Sequence, residues 1–128
     1  MASFVVKAAP RPEGADRLEF DEKTMWRGKH IRPGDEVFIF AAEHNGGCGL
    51  YARGVVTDAI RGVGSRVSLT VRRTGTAARP LGRAELRPFR DLPDASPETE
   101  IDHKLYRQAT NKIAGVSDAA AAFLRGFF

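Results

Sequence analysis

The stretch IRPGDEVFIFAAEHNGGCGLYARGVV, residues 31 to 56, limits what this chain can become more than any other. Pro33-Gly34 fits the central pair of a type II turn, because proline presets φ and glycine accepts a positive one. EVFIFAA (36 to 42) is apolar on both faces and predicts a strand covered on both sides. HNGG is a turn by composition. CGLYARGVVTDAI (48 to 60) then predicts a long strand. Gly54 inside it points to a bulge or bend of the kind a barrel needs. RVSLTVRRT (66 to 74) alternates, with Val67, Leu69 and Val71 on one face and Arg66, Ser68, Thr70 and Arg72 on the other.

The flanks are less regular. SFVVKAAP (3 to 10) predicts a short strand ended by Pro10. Residues 11 to 30 have no clean period and predict a loop with a helical turn, anchored by Phe20 and Trp26. Residues 75 to 100 are proline-rich and predict irregular chain with one helical turn near GRAEL. Ile101, Leu105, Ala109 and Ile113 recur at helical spacing. Ser117 suits a helix N-cap and Asp118 its first turn. Phe123, Leu124, Phe127 and Phe128 would dock that last helix on a sheet. Strands come first and helices after, which predicts one α+β domain over residues 1 to 128.

Charge is unevenly spread. The net charge is +4, but residues 61 to 90 hold eight arginines against one acid, Glu85. A local excess of this sign suits a polyanionic partner; it also suits a plain soluble face. One cysteine excludes an internal disulfide and fits a reducing compartment. The N-terminus lacks a long apolar signal segment, and no stretch has the length of a membrane span. The expectation is a cytoplasmic protein with no membrane partner.

Familiar catalytic patterns are missing. His44 and Cys48 lie four apart, but no second cysteine or spaced histidine pair completes a metal set. Cys48 reads better as a small buried residue. GGCGLYARG lacks the Gly-Lys-Ser/Thr of a phosphate loop, so its glycines serve a tight turn and close backbone approach. Asp35 and Asp58 have no evident carboxylate partner. No metal and no cofactor are expected.

The glycine-aspartate turn, the apolar strand, the turn and the strand reading Gly-x-x-Ala-x-Gly-x-Val together resemble PUA-like barrels, and EVE domains in particular, with YTH and ASCH domains as relatives. Trp26, a few residues before the turn, and the opening strand FVVKAAP fit that pattern. The resemblance implies a barrel of about five strands with short helices, the C-terminal ones packed on the barrel. It also implies a non-catalytic module binding DNA or RNA, with a pocket for a modified base.

The physical demands of that task select candidates. An unstacked base needs an aromatic surface and polar groups for its edge, and its phosphates need cations. Trp26 and Tyr51 are candidates for the aromatic walls; the alternatives are a core anchor and rim packing. Arg27, His44, Asn45, Tyr106, Gln108 and Asn111 are candidate polar or ligand-binding groups, although asparagines also cap turns and end helices. Arg66, Arg72, Arg73, Arg79 and Arg83 are phosphate candidates as a set. Two rivals stay open. One is a hydrolase or deaminase of nucleotide-like ligands using His44, Cys48 or Asp58. The other is a protein-interaction module docking through FLRGFF.

Overall fold

The computed structural model describes residues 2–12, 14–92, 96–108 and 110–128. Six strands, β1 (Ser3–Ala8), β2 (Arg17–Met25), β3 (Glu36–Ala41), β4 (Gly49–Arg61), β5 (Arg66–Thr76) and β6 (Lys112–Gly115), close in the order β1-β3-β4-β5-β2-β6. β1 runs parallel to β3, and β2 parallel to β6; the other pairs are antiparallel. Three short helices follow or interrupt the last strands: α1 (Arg83–Leu86), α2 (Pro97–Leu105) and α3 (Asp118–Arg125). None is long and apolar enough to cross a membrane.

Strand alternation divides the apolar residues into two cores. Phe4, Val6, Ala8, Leu18, Phe20, Val37, Ile39, Val67, Leu69, Val71 and Ile113 fill the barrel interior. Val5, Phe38, Phe40 and Ala114 face outward from β1, β3 and β6 and pack under the helices with Leu86, Ile101, Leu105, Ala120, Ala121 and Leu124. A strand covered on both faces needs no polar alternation, which is why β3 is buried at every position.

The expected turns form. Gly34 has φ +93° and the Asp35 amide donates to the Arg32 carbonyl at 3.1 Å, closing a turn around Pro33-Gly34. The β4/β5 register shifts between Arg53 and Gly54, where a Cβ on Gly54 would meet the Arg72 carbonyl at 2.5 Å. α1 coincides with GRAEL, and the Gly82 amide donates to Glu85 Oε1 at 2.7 Å. Ser117 caps α3 by accepting from the Ala120 amide at 3.1 Å. Leu124 and Phe127 are buried, while Phe128 packs against Phe38, so the C-terminal aromatics close this chain's own core.

Several expectations need correction. Residues 17–25 form a strand, not a loop, and Lys112–Gly115 forms another, giving six strands where the resemblance implied about five. The alternation over 17–25 is hidden because only Leu18 and Phe20 point inward before charged residues take over. The helix expected through Ile113 ends at Leu105. Ile113 belongs to β6 inside the barrel, and its spacing from Leu105 is coincidental. Phe20 is an interior anchor, but Trp26 is not, being 44% exposed. Cys48 is exposed rather than buried. Ala109 and the segment 93–95 of the proline-rich stretch lie outside the described residues.

Candidate nucleic-acid interface

The end of β2 sets the geometry of Trp26. The Thr24 amide and hydroxyl both donate to the Ser65 carbonyl, at 2.9 and 2.6 Å, fixing the strand end against the β4–β5 hairpin. Trp26 and Arg27 then take φ values of +53° and +67°. Two successive left-handed L-residues cost roughly 1–2 kcal/mol each, and a bulky side chain there is an outlier. The turn is held from β6: the Gly115 amide donates to the Trp26 carbonyl at 3.0 Å, and Gly28 lies so close to the Ile113 carbonyl that no Cβ would fit.

This backbone sends the indole out of the core. Its ring meets His103 edge to face, with centroids 5.2 Å apart, and Lys104 Nζ lies 5.6 Å from the ring centroid. Lys104 is itself fixed, donating to the Gly115 carbonyl at 2.7 Å and to Glu100 at 3.0 Å. Next to Trp26, Arg27 borders a cleft of about 530 Å³ that His30, Arg32, Asp35 and the Gly115–Asp118 segment also line.

The other sequence candidates divide into groups. Asn45 and Asn111 come together, with Asn111 Nδ2 donating to Asn45 Oδ1 at 3.1 Å. His44 is exposed on the same short 3-10 turn, Glu43–Asn45, and Gln108 is exposed just after α2. Tyr106 is buried beneath, edge-on to Phe40 at 6.4 Å, with the Lys7 ammonium 4.9 Å from its ring centroid. Burial, then the Glu43 charge, pushes its phenol far above the usual tyrosine range, and its hydroxyl has no hydrogen-bond partner among the described residues. Tyr106 is therefore a floor under the helices, not an open wall.

Tyr51 stands apart from Trp26. It lies near the barrel end formed by Ala8 and Ala41, whereas Trp26 sits at the Phe4–Gly115 end. Tyr51 packs against the interior core with Ala15 and lines a shallow depression with Cys48 and Thr76–Pro80. The two aromatics do not wall one common pocket.

The five arginines do not form one stripe. Arg66 pairs with Asp21 at 3.0 Å, and Arg73 approaches Asp16 at 3.9 Å. Arg79 donates to the Gly126 carbonyl at 2.8 Å and covers Phe127 at 4.4 Å; Arg83 lies 5.7 Å from the Tyr106 ring. Arg72 is exposed, with no ion pair among the described residues. Much of the central basic excess thus goes into internal contacts. His44, Cys48 and Asp58 are also not gathered: Asp58 lies on β4 opposite Thr70, beyond the reach of β3.

Residues that the sequence did not single out matter here. His103 and Lys104 reach Trp26 only through the docking of α2, and Arg32 reaches the cleft only through the turn after it. Periodicity in α2 marks its buried face, Ile101 and Leu105, and is silent about the other.

Solved structures share this architecture. The DUF55 domain of human thymocyte nuclear protein 1 aligns with a TM-score of 0.68 at 11% identity, over 98% of this chain and 97% of that one. The same human protein, THYN1, in complex with 5-methylcytosine-containing DNA also aligns with a TM-score of 0.68 at 11% identity, over 98% and 96%. The chain therefore shares the fold of the DUF55 domain. A Pseudomonas putida protein shares the fold at a TM-score of 0.62 and 12% identity, over 98% of this chain and 99% of that one. A Rhodopseudomonas palustris protein does so at 0.60 and 15%, over 99% and 92%. No family model and no curated protein matches the sequence. At such identities the likeness is one of fold.

Proposed function

We propose that this chain is a nucleic-acid-binding module that holds an unstacked base against Trp26. The carrying observation is the indole itself. It is exposed, kept in a left-handed backbone conformation at a cost in stability, and flanked by His103 and Lys104. Strain of this sort is found where surrounding structure enforces a functional geometry. An exposed π face is the equipment for stacking a base, and Lys104, itself held by Glu100 and the Gly115 carbonyl, braces the ring. The DNA complex of human THYN1, on the same fold, supports a base-bearing polyanion as the ligand.

The finer reading is a modified base among the bound nucleotides. His44, Asn45 and Asn111 lie near the Glu43–Asn45 turn, at the barrel end away from Trp26, where their side chains would read the edge of a base farther along the strand than the one on Trp26; carboxamides can pair with base edges in two-point fashion. Arg72, exposed and without an ion pair among the described residues, is the β5 arginine left for a phosphate farther along the strand. Replacing Trp26 with alanine tests the proposal. Oligonucleotide affinity should drop about 5- to 150-fold, the range of one base–aromatic stack, with circular dichroism unchanged. Unchanged affinity would remove Trp26 from the site, and a collapsed spectrum would give it a core role.

A further inference from the structure

We propose that the cleft bordered by Arg27, His30 and Arg32 is a phosphate site, taking the backbone phosphate next to the base stacked on Trp26. The proposal rests on the nucleic-acid reading and specifies where that ligand's charge is held.

Local geometry brings the three side chains to one place. Residues 28–30 form a single 3-10 turn with Arg27 as its N-cap, and the His30 amide donates to the Arg27 carbonyl at 3.0 Å. Arg27, left-handed at the start of the turn, and His30 at its end both line the same cleft. Arg32 enters from the start of the Pro33-Gly34 turn. All three line one cleft of about 530 Å³. Each is exposed, and none has an ion pair or side-chain hydrogen bond among the described residues. This contrasts with Arg53, Arg66, Arg90 and Arg125, which all hold carboxylates.

The cleft also contains two acids. Asp35 is already engaged, accepting from the Ala2 amide at 3.2 Å and the Arg32 amide at 3.0 Å. Asp118 is exposed in the first turn of α3, where it answers the helix dipole. The Ser117 amide and hydroxyl donate to Glu100, so the start of α3 offers little to an anion. The guanidinium groups are therefore the donors, and their planar forks suit phosphate oxygens. Arg27 follows Trp26 directly, which puts a bound phosphate within a nucleotide's reach of the indole.

The test uses the full chain with two probes: inorganic phosphate, and a single-stranded oligonucleotide across a salt series. The variant is Arg27→Asn with Arg32→Gln, because asparagine tolerates the left-handed conformation at position 27; the single Arg32→Gln variant serves if the double variant unfolds. Phosphate should shift the His30 ring and Arg27 and Arg32 side-chain NMR signals saturably in the wild type and not in the variant. The slope of log affinity against log salt should fall by about 1.4 in the double variant and about 0.7 in the single one, and stay unchanged in Trp26→Ala. Oligonucleotide binding with an unaltered slope in the variants overturns the cleft and leaves the Trp26 reading intact. Saturable phosphate shifts without any oligonucleotide binding remove the nucleic-acid reading and keep the cleft as a site for a smaller phosphorylated ligand. Absence of phosphate shifts in the wild type overturns the cleft.

Discussion

Lys7 and Lys112 face each other across β1 and β6, and both ammonium groups end on the last carbonyls of α2. Lys7 Nζ donates to the Leu105 carbonyl at 2.7 Å, and Lys112 Nζ to the Lys104 carbonyl at 2.9 Å. A helix leaves its final carbonyls without intrahelical partners, and cations there also answer the negative end of the dipole. The lysine pair thus pins α2 to the barrel and carries His103 and Lys104 to Trp26.

The pinning depends on pH. Burial, with Lys112 and Arg83 nearby, lowers the Lys7 pKa from its ordinary value to about 8. Below pH 8 the amine is charged in both the folded and unfolded chain, and the cost of burying that charge is present in full. Between pH 8 and 10.5 only the unfolded chain holds the proton, so stability rises with pH. Burial and Lys23 lower Lys112 as well, which adds in the same direction. Urea unfolding should give a stability gain of about 1–2 kcal/mol from pH 8 to 10. Lys7→Met should flatten that rise; an identical rise in the variant would assign it elsewhere.

Glu36 governs the acid side. Its carboxylate accepts from Ser3 Oγ at 3.1 Å, Arg53 at 3.1 Å and both Arg125 Nη2 and Nε, at 2.7 and 3.1 Å. Burial alone would raise its pKa, but the hydrogen bonds from Arg125 and Ser3 and the two guanidinium charges outweigh that and hold it low. The stabilisation is complete above the ordinary carboxylate range and is lost as pH falls through the lowered folded value. Glu36→Gln should cost about 1–3 kcal/mol at pH 7, a range that allows for the exposure of both arginines. The same variant should show a smaller loss on acidification, measured by thermal melts at pH 3 to 7.

The glycines of the HNGGCG turn differ in what they permit. Gly46 has φ +86° with open space around it, whereas Gly49 has φ +85° and lies against the Leu81 carbonyl, leaving no room for a Cβ. Gly46→Ala should cost about 1–2 kcal/mol from backbone strain alone. Gly49→Ala adds a backbone collision and should cost at least about 1 kcal/mol more. Equal melting temperatures for the two variants would contradict that account.

The C-terminal aromatics supply a further prediction. Leu124 is fully buried and Phe127 nearly so, against the outer core. Removing residues 124 to 128 deletes these contacts, and burial of each such side chain is worth about 1.5–3 kcal/mol. The truncated chain should unfold or melt far lower, with no dimer lost on sedimentation. A folded truncated monomer derived from a wild-type dimer would revive the interaction-module reading.

The legible parts of the sequence were those with one strong local cause. The Pro33-Gly34 turn, the doubly apolar β3 and the Ser117 cap each follow from residue chemistry alone. β2 was hidden because Asp21, Glu22 and Lys23 follow its two apolar inward residues, and Glu22 takes the next inward position, opposite Val67, so the apolar alternation stops after Phe20. Ile113 misled because a four-residue strand and a helix turn can both present one isoleucine at the same interval. Trp26 was legible as a candidate. Its partners His103 and Lys104 were not, because their approach depends on two lysines from distant strands holding α2. Likewise, Arg66 lost its candidacy as a free cation once Asp21 lay on a neighbouring strand.

The lone tryptophan makes the central claim directly measurable. Single-stranded and double-stranded oligonucleotides, with and without 5-methylcytosine, should be titrated into the protein at rising salt while Trp26 fluorescence is followed. The account predicts saturable quenching at low salt, with an affinity that falls linearly in log salt and is greater for a base that can leave its stack. Binding without any change in Trp26 emission, or no binding at low salt, would contradict it.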